Sequence, residues 1–489
     1  MSKPTPITIA YGDGIGPEIM EAVLKIISYS GANIEIETID IGEQKYKQGF
    51  TSGIGPKAWE SIKRNKILFK APITTPQGGG YKSLNVTLRK ALGLYANIRP
   101  AKANTPFVKT NFPDMDLVVV RENEEDLYAG VEYRVTNDIY QSVKLISRPG
   151  CERIVRYAFE YAKNNDRKKV SCFVKDNIMK MTDGLFHKVF DEISAEYPDI
   201  ETDSHIVDIA AARVATNPGQ FDVIVTENLY GDIISDITAQ ISGSVGLAGS
   251  SNIGDEYAMF EAIHGSAPTM AGQNRANPSG LLQGAILMLN HIGQGDAAEK
   301  IQNAWLKALE DGQHTADIYD ESTSKAKLGT QEFADEVIKR LGDKPTTYPA
   351  VEYKGSKKIT SKFGISKTVK ASRKEDAQLV GVDVFVKHSD NVDELAEKLH
   401  DAETDKIRLK VISIMGQKAW PIAEHEEKKY PYIDGYCCRF KQVDEKQPLT
   451  PQDILLLLSN LTEKDISYSK LEYLQSYDGE LGYSKVQGE

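Results

Sequence analysis

The feature that most narrows the fold is a series of apolar, β-branched runs that each end in polar residues. ITIAYG (6–11), IEIETIDI (34–41), ILFKAPI (67–73), MDLVVVREN (115–123), KVSCFVKDN (169–177) and FDVIVTEN (221–228) follow this pattern. Helical stretches such as CERIVRYAFEYAKNN (151–165) and LFHKVFDEISAEY (185–197) lie between them. Strands this uniformly apolar are covered on both faces, so the alternation predicts an α/β fold with a largely parallel sheet. In such sheets ligands bind beyond the carboxyl ends of strands. The polar residues at those ends are therefore the first candidates for chemistry.

The texture changes late in the chain. Residues 343–364 carry prolines, glycine and several lysines with little periodicity, and read as a linker. Beyond it, residues 365–489 read β (379–387), α (391–400), β (407–415), β (432–442), α (450–461), β (466–475), the order of a ferredoxin-like α+β unit. That unit shows no cluster of Ser, His, Asp or Arg suited to catalysis, so an assembly or regulatory role is expected.

At 489 residues the chain is too long for one core. Its net charge of -11, with no basic tail, argues against nucleic acid as a partner. No apolar run is long enough to span a bilayer, so no membrane role is expected. The first residues, MSKPTPITIAYGDG, run straight into a strand pattern without a signal peptide. Cys151, Cys172, Cys437 and Cys438 lack zinc spacing and fit reduced thiols of a cytoplasmic protein.

The chemistry is written in a few stretches. In YKSLNVTLRKALGLYANIRP (81–100), preceded by Gly78–Gly80, the residues Ser83, Asn85 and Arg89 fall within seven positions, with Arg99 ten further on. Read as a helix, Asn85 and Arg89 share a face. Arg pairs bidentately with carboxylates, so converging Arg suggest a polycarboxylate or phosphate, against the bland alternative of a solvated amphipathic helix. RENEEDLYAG (121–130) places Arg121 at a strand end and Tyr128 seven later. A cationic neighbour lowers a phenol's pKa and suits it to act as an acid; a half-buried aromatic is the alternative. Lys175 ends a strand and is a candidate base, or a surface lysine.

Asp232 and Asp236 in ENLYGDIISD (227–236) are four apart at an expected helix start, so their carboxylates share a face. Hard oxygen ligands so paired suit magnesium or manganese. A helix N-cap would explain Asp232 but not Asp236. Asp208 is a further carboxylate in an apolar stretch. In FEAIHGSAPTMAGQNRANP (260–278), His264 and Gly265 follow a strand and small residues precede Pro268. Small residues let backbone amides approach a phosphate or flat ring, and Asn277 is placed to pair with a purine edge. Gly12, Gly14 and Gly16 do not form a dinucleotide fingerprint, because Pro17 stands where G-x-G-x-x-G needs glycine. A tight strand-to-helix turn packed near an active site is expected instead.

Taken together, GDGIGPE, ITTPQGGGYKSLNVTLR, RENEEDLYAG, KDNIMK, NLYGDIISD, NIGDEYAMFEAIHGSAP and ANP resemble, in order over residues 6–342, the isocitrate/isopropylmalate dehydrogenase family. These are metal-dependent decarboxylating dehydrogenases of β-hydroxy acids. The chain is most similar to the isocitrate dehydrogenases, in particular a bacterial subgroup with an extra C-terminal domain. The resemblance implies a fold distinct from the common dinucleotide fold. Residues 1–95 and 243–342 would form a large domain, and 96–242 a small domain with a dimer-forming segment. It implies isocitrate as substrate, a tricarboxylic acid cycle role, and a homodimer with shared active sites, extended to a higher oligomer if the C-terminal domain assembles.

Carried over residue by residue, the resemblance implies that Ser83, Asn85, Arg89, Arg99 and Arg121 hold isocitrate. Asp232 and Asp236, with Asp208 from the second subunit, would bind magnesium or manganese. Tyr128, and Lys175 from the second subunit, would be the acid–base pair. Thr74, His264, Gly265, Ser266, Ala267, Pro268 and Asn277 would hold the dinucleotide. NADP-using relatives carry Lys-Tyr after the loop and NAD-using ones Asp-Ile; here Thr269-Met270 stands there. Arg275 favours a 2′-phosphate and Asp317 favours an unphosphorylated ribose. Both cofactors stay open, with NADP preferred. Within the family the rivals are 3-isopropylmalate and homoisocitrate dehydrogenases; isopropylmalate enzymes need an apolar pocket where the third carboxylate would sit, and Ser83 and Asn85 at that position favour isocitrate. A non-catalytic tricarboxylate-binding regulator is the rival from another class; the joint presence of acid, base and metal-type carboxylates argues against it.

Overall fold

The computed structural model describes residues 3–75, 83–353, 376–388, 391–422 and 433–486. Gly78–Gly80 and residues 354–364 of the expected linker lie outside them. The chain divides into two compact units, Met1–Ala129 with Lys144–Ser366, and Gly130–Val143 with Lys367–Glu489.

A ten-stranded sheet organises the first unit. Its strands are β1 (Thr5–Ala10), β2 (Ile34–Ile39), β3 (Ile67–Lys70), β4 (Ala96–Lys102), β5 (Asp116–Glu122), β6 (Lys169–Val174), β7 (Glu201–Ile206), β8 (Val223–Thr226), β9 (Gly249–Ile253) and β10 (Ala258–Ala262). They lie in the order β2-β1-β3-β10-β9-β4-β5-β8-β6-β7. Both wings are parallel, as the apolar runs require. The centre is antiparallel at β10–β9, β9–β4 and β4–β5. The two wings consequently run in opposite directions, and their carboxyl ends point to opposite edges. Beside the polar residues at carboxyl ends, a second set of polar side chains lies on the face of the central strands.

The sequence hides β4 because its residues, ANIRPAK, are not an apolar run. The 81–100 stretch, read as one helix, splits into a helix at Leu84–Ala91 and β4. Gly93, at φ 63°, ends the helix in the left-handed conformation that favours glycine, and the Leu94 amide donates back to the Arg89 carbonyl. Arg99 thus stands on a strand. Strand alternation and register put Lys70, Glu261, Asn252, Asn97, Arg99 and Arg121 on one face across β3, β10, β9, β4 and β5. The helix Asn228–Ile241 covers the β4–β5 end of that face.

The turn after β1 is as tight as its glycines suggest. Gly12 and Gly14 have φ of 68° and 61°, and a Cβ on them would stand 2.1 Å from the Pro72 carbonyl oxygen and 2.0 Å from that of Ser266. Only glycine lets this turn close against the 71–74 and 264–268 segments.

The second unit is an antiparallel six-stranded sheet in the order Gln417–Trp420, Ile407–Ile414, Gly435–Gln442, Ala377–Lys387, Tyr468–Tyr477, Glu480–Leu481. Helices Val392–His400 and Pro451–Glu463 bury Leu395, Leu399, Leu457 and Leu461 against Val382, Val384, Ile412 and Phe440. Thr450 and Asp453 form a capping box at the start of the second helix, with Pro451 in its first turn. The hairpin Glu132–Arg134/Tyr140–Ser142 belongs to this unit. The Asp434 carboxylate accepts from the Thr136 hydroxyl and from the Asn137 amide at 3.0 Å, and Lys470 donates to Gln141 at 3.1 Å. Among the described residues, no helix is long and apolar enough to cross a membrane.

Candidate active site

Three arginines and the carboxylates of Asp232 and Glu261 dominate the central face. Arg121 is 1% exposed; it donates to Asp232, and through Nε and Nη2 to the Asn228 amide oxygen at 3.1 and 2.8 Å. Gly231 makes room for it, since a Cβ there would lie 2.5 Å from the Arg121 Cγ. Arg99 donates to Asp232 at 3.2 Å, Ser235 at 2.7 Å and Asn97 at 2.8 Å, and lies 3.7 Å from Asp236. Tyr128 donates to the other Asp232 oxygen at 2.5 Å, with the Arg121 guanidinium 4.9 Å from its ring centre. Arg89 donates to Glu261 at 3.1 Å, and Glu261 also pairs with the fully buried Lys70 at 2.5 Å.

Burial and repulsion from Arg99 and Arg89 pull the Arg121 pKa down to about 9, which leaves it charged at neutral pH. Burial works to raise the Asp232 carboxyl, but Arg121 and Arg99 outweigh it and hold it below its usual value. Burial raises Asp236, with Arg99 opposing and Asp232 reinforcing the rise. Tyr128 departs from expectation. Its pKa is raised, because burial and the neighbouring Asp232 outweigh Arg121, so the phenol is held protonated rather than poised to ionise. Asp232 faces both Arg99 and Arg121, with Asp236 3.7 Å from Arg99, and buried guanidinium groups gathered in this way suit a multiply charged anion. Asn85 Oδ1 and Arg89 Nε are buried without a hydrogen-bond partner among the described residues, as groups awaiting a polar ligand would be. Ser83 stands just before the Leu84–Ala91 helix and accepts from the Thr75 hydroxyl at 3.4 Å.

Lys175 and Asp208 form a separate pair. Lys175 donates to Asp208 at 2.7 Å, and this bond holds the Asp208 carboxyl below its usual value. Neither bonds to Asp232 or Tyr128. Asp208 lies in the first turn of the helix Val207–Thr216, and Lys175 just beyond β6. Asp232 sits a full turn inside its helix, so it is not the N-cap, which is Glu227. Among the described residues, no group of three or more His, Cys, Asp or Glu is arranged to hold a metal ion within one chain. Asp232 and Asp236 are hard oxygen donors suited to magnesium or manganese, but two carboxylates fall short of the six ligands such ions take. Their fit to a metal therefore asks for further oxygen ligands from substrate, water or another subunit.

The nucleotide-type loop lines a cavity of about 500 Å³ together with Ile15 and residues 244–246. His264, Gly265, Ala267, Met270, Arg275, Asn277 and Asp317 all reach it. His264 Nε2 is buried without a hydrogen-bond partner among the described residues, and burial lowers the imidazole's pKa. Thr74 and Ser266 share a hydroxyl hydrogen bond at 2.7 Å, which ties the 71–74 segment to the loop. Pro268, Thr269 and Met270 form one 3-10 turn. Asp317 is not a free acceptor: Ser244 and Thr315 donate to it at 2.6 Å each and Asn277 at 3.0 Å. Arg275 is exposed at the cavity, without an ion-pair partner among the described residues.

Sequence reasoning missed Lys70, Asn97, Asn228, Asn252 and Glu261. Asn252 donates to Glu261 at 2.8 Å and accepts from Asn97 at 2.6 Å, and Asn97 in turn accepts from Arg99. This buried chain fixes Arg99 relative to Arg89. The available signal was a lysine ending ILFK and a glutamate within AMFEA, two charges in strands otherwise apolar.

A family model described as isocitrate/isopropylmalate dehydrogenase matches residues 6–337, and one described as bacterial isocitrate dehydrogenase, C-terminal domain, matches 377–489. The chain is 56% identical over 491 residues to the isocitrate dehydrogenase (NADP) of Rickettsia bellii, covering 100% of both chains. It is 41% identical over 489 residues to the isocitrate dehydrogenase (NADP) of Thermus thermophilus, covering 99% of this chain and 96% of that one. The crystal structure of the Thermus thermophilus protein TT0538 superposes with a TM-score of 0.91 at 40% identity, over 99% of this chain and 96% of that one. The chain belongs to the isocitrate/isopropylmalate dehydrogenase family and carries the C-terminal domain of the bacterial isocitrate dehydrogenases.

Proposed function

We propose that the protein oxidatively decarboxylates isocitrate to 2-oxoglutarate and carbon dioxide with reduction of NADP, in the presence of magnesium or manganese. The observation that carries this reading is the convergence of Arg89, Arg99 and Arg121 on the face that also bears Asp232 and Tyr128. Three guanidinium groups match three carboxylates, and the relatives at 56% and 41% identity bear the name of that activity.

Each residue has a role in this reading. Arg89, Arg99 and Arg121 bind and orient the carboxylates, assisted by Ser83 and Asn85. Asp232 and Asp236, with the partner subunit's Asp208, hold the divalent ion. When bound, the ion polarises the substrate hydroxyl and its adjacent carboxylate, and the dinucleotide accepts the hydride. The partner subunit's Lys175 takes the hydroxyl proton. Tyr128, kept protonated by burial, delivers a proton to the carbon that has lost carbon dioxide. Thr74, the His264–Pro268 loop and Asn277 seat the dinucleotide. A homodimer with shared active sites is part of this reading; that Lys175 bonds to Asp208 within one chain, with no bond from either to Asp232, supports it.

NADP is preferred because Asp317 is occupied by three neutral donors while Arg275 is free to meet a phosphate. Arg275→Ala is expected to raise the KM for NADP at least tenfold, by loss of about 1.5–3 kcal/mol of charged hydrogen bonding, with little change for NAD. Steady-state kinetics with each cofactor test this. A wild type that favours NAD would overturn the cofactor assignment and make Asp317 the ribose ligand.

A further inference from the structure

One buried ion cluster touches neither the arginines nor the cofactor cavity. Lys144, 12% exposed at its side chain, donates to Asp183 at 2.7 Å and to Glu227, and lies 3.7 Å from Asp126. Its ammonium also stands 4.7 Å from the Tyr230 ring centre. All three carboxylates are buried. Burying three carboxylates is costly unless a cation sits among them, and Lys144 is that cation.

Each carboxylate belongs to a segment that carries a group of the proposed site. Asp126 opens the turn Asp126–Ala129, which bears Tyr128, and its own backbone holds a left-handed φ of 67°. Asp183 accepts from the Lys175 amide at 2.7 Å and from the Tyr230 hydroxyl at 3.2 Å. Glu227 is the cap residue of the helix Asn228–Ile241, which bears Asp232 and Asp236, and Asp126 also accepts from the Leu229 amide at 2.8 Å.

We infer that Lys144 is a positioning residue that holds three segments in register: the Tyr128 turn, the Lys175 loop and the Asp232 helix. The inference rests on the reading of the site given above for what those segments do. Lys144 contacts none of Arg89, Arg99 and Arg121, so its loss spares substrate binding and misaligns Tyr128 and Asp232 in its own chain's site and Lys175 in the site that this chain completes for its partner. Misplacement by about 1 Å costs on the order of 100-fold in rate.

The test combines kinetics with amide hydrogen exchange on the full-length protein. Lys144→Met is expected to lower kcat about 100-fold with KM for isocitrate unchanged within about threefold, and Lys144→Arg to recover most of the loss. Exchange should quicken together in peptides covering 126–129, 175–183 and 227–232. A folded Lys144→Met protein with near-wild-type kcat, or faster exchange in only one of these segments, would overturn the inference. If Lys144→Met does not fold, Asp183→Asn keeps the volume and removes one spoke; lowered kcat at constant KM supports the hub, and unchanged kcat overturns it. The exchange readout does not depend on turnover, so a failure of the proposed activity is distinguishable from a failure of the hub.

Discussion

Replacing Arg121 with alanine is expected to lower kcat/KM for isocitrate by two to three decades while the protein stays folded. The guanidinium is 1% exposed and holds Asp232 and Asn228 at once. Removing one partner of a buried charged pair costs roughly 2–5 kcal/mol, largely through the group left unpaired. At about 1.4 kcal/mol per decade this is a loss of roughly thirtyfold to a few thousandfold. Arg121→Lys should fail nearly as badly, because an ammonium does not reproduce the planar fork that spans Asn228 and Asp232. Circular dichroism establishes folding and steady-state kinetics read the loss. Wild-type kinetics in a folded Arg121→Ala variant would remove Arg121 from the substrate site.

The second large effect concerns the divalent ion. Activity is expected to fall to background in excess chelator and to return with magnesium or manganese but not with calcium, whose longer and looser coordination fits the reaction poorly. Asp232→Asn should raise the metal concentration needed for half activity on the order of 100-fold. The same change removes the carboxylate that Arg99 and Arg121 share and leaves only Asp236, 3.7 Å from Arg99, so isocitrate binding in the absence of metal should hold or tighten. Full activity in chelator would mean that Asp232 and Asp236 serve only the arginines.

The wings of the sheet were legible because their strands are apolar on both faces, and a run such as VVV at 118–120 has few other homes. The centre was not. β4 and β9, ANIRPAK and GSSNI, pack Ala96, Ile98 and Ile253 into the core on one face but carry Asn97, Arg99 and Asn252 on the other, so no apolar run marks them. Reading residues 81–100 as one helix failed at Gly93 for the same reason: the arginine spacing was informative, but the fold delivers it from a helix and two strands. The motifs ENLYGDIISD and FEAIHGSAP could be marked from spacing alone, since helical and turn geometry are local. What no local rule supplies is long-range pairing. Asn252 meets Glu261 and Asn97 only through sheet register, and Lys144 meets its carboxylates only through packing. The raised pKa of Tyr128 is likewise a property of burial, which the nearby cation Arg121, seven residues earlier, concealed. Nor does the sequence signal that 130–143 belongs with the C-terminal unit, because the bonds from Thr136 and Asn137 to Asp434 span nearly 300 residues.

In the proposed reading the arginine–aspartate face turns over isocitrate. The most direct measurement is a stoichiometric assay of the full-length protein with isocitrate, magnesium and NADP, following NADPH by absorbance and 2-oxoglutarate and carbon dioxide by end-point analysis. Equal amounts of all three products are expected, with no comparable rate with 3-isopropylmalate or homoisocitrate. Binding of isocitrate without turnover in either cofactor, or a preference for 3-isopropylmalate, would contradict this reading.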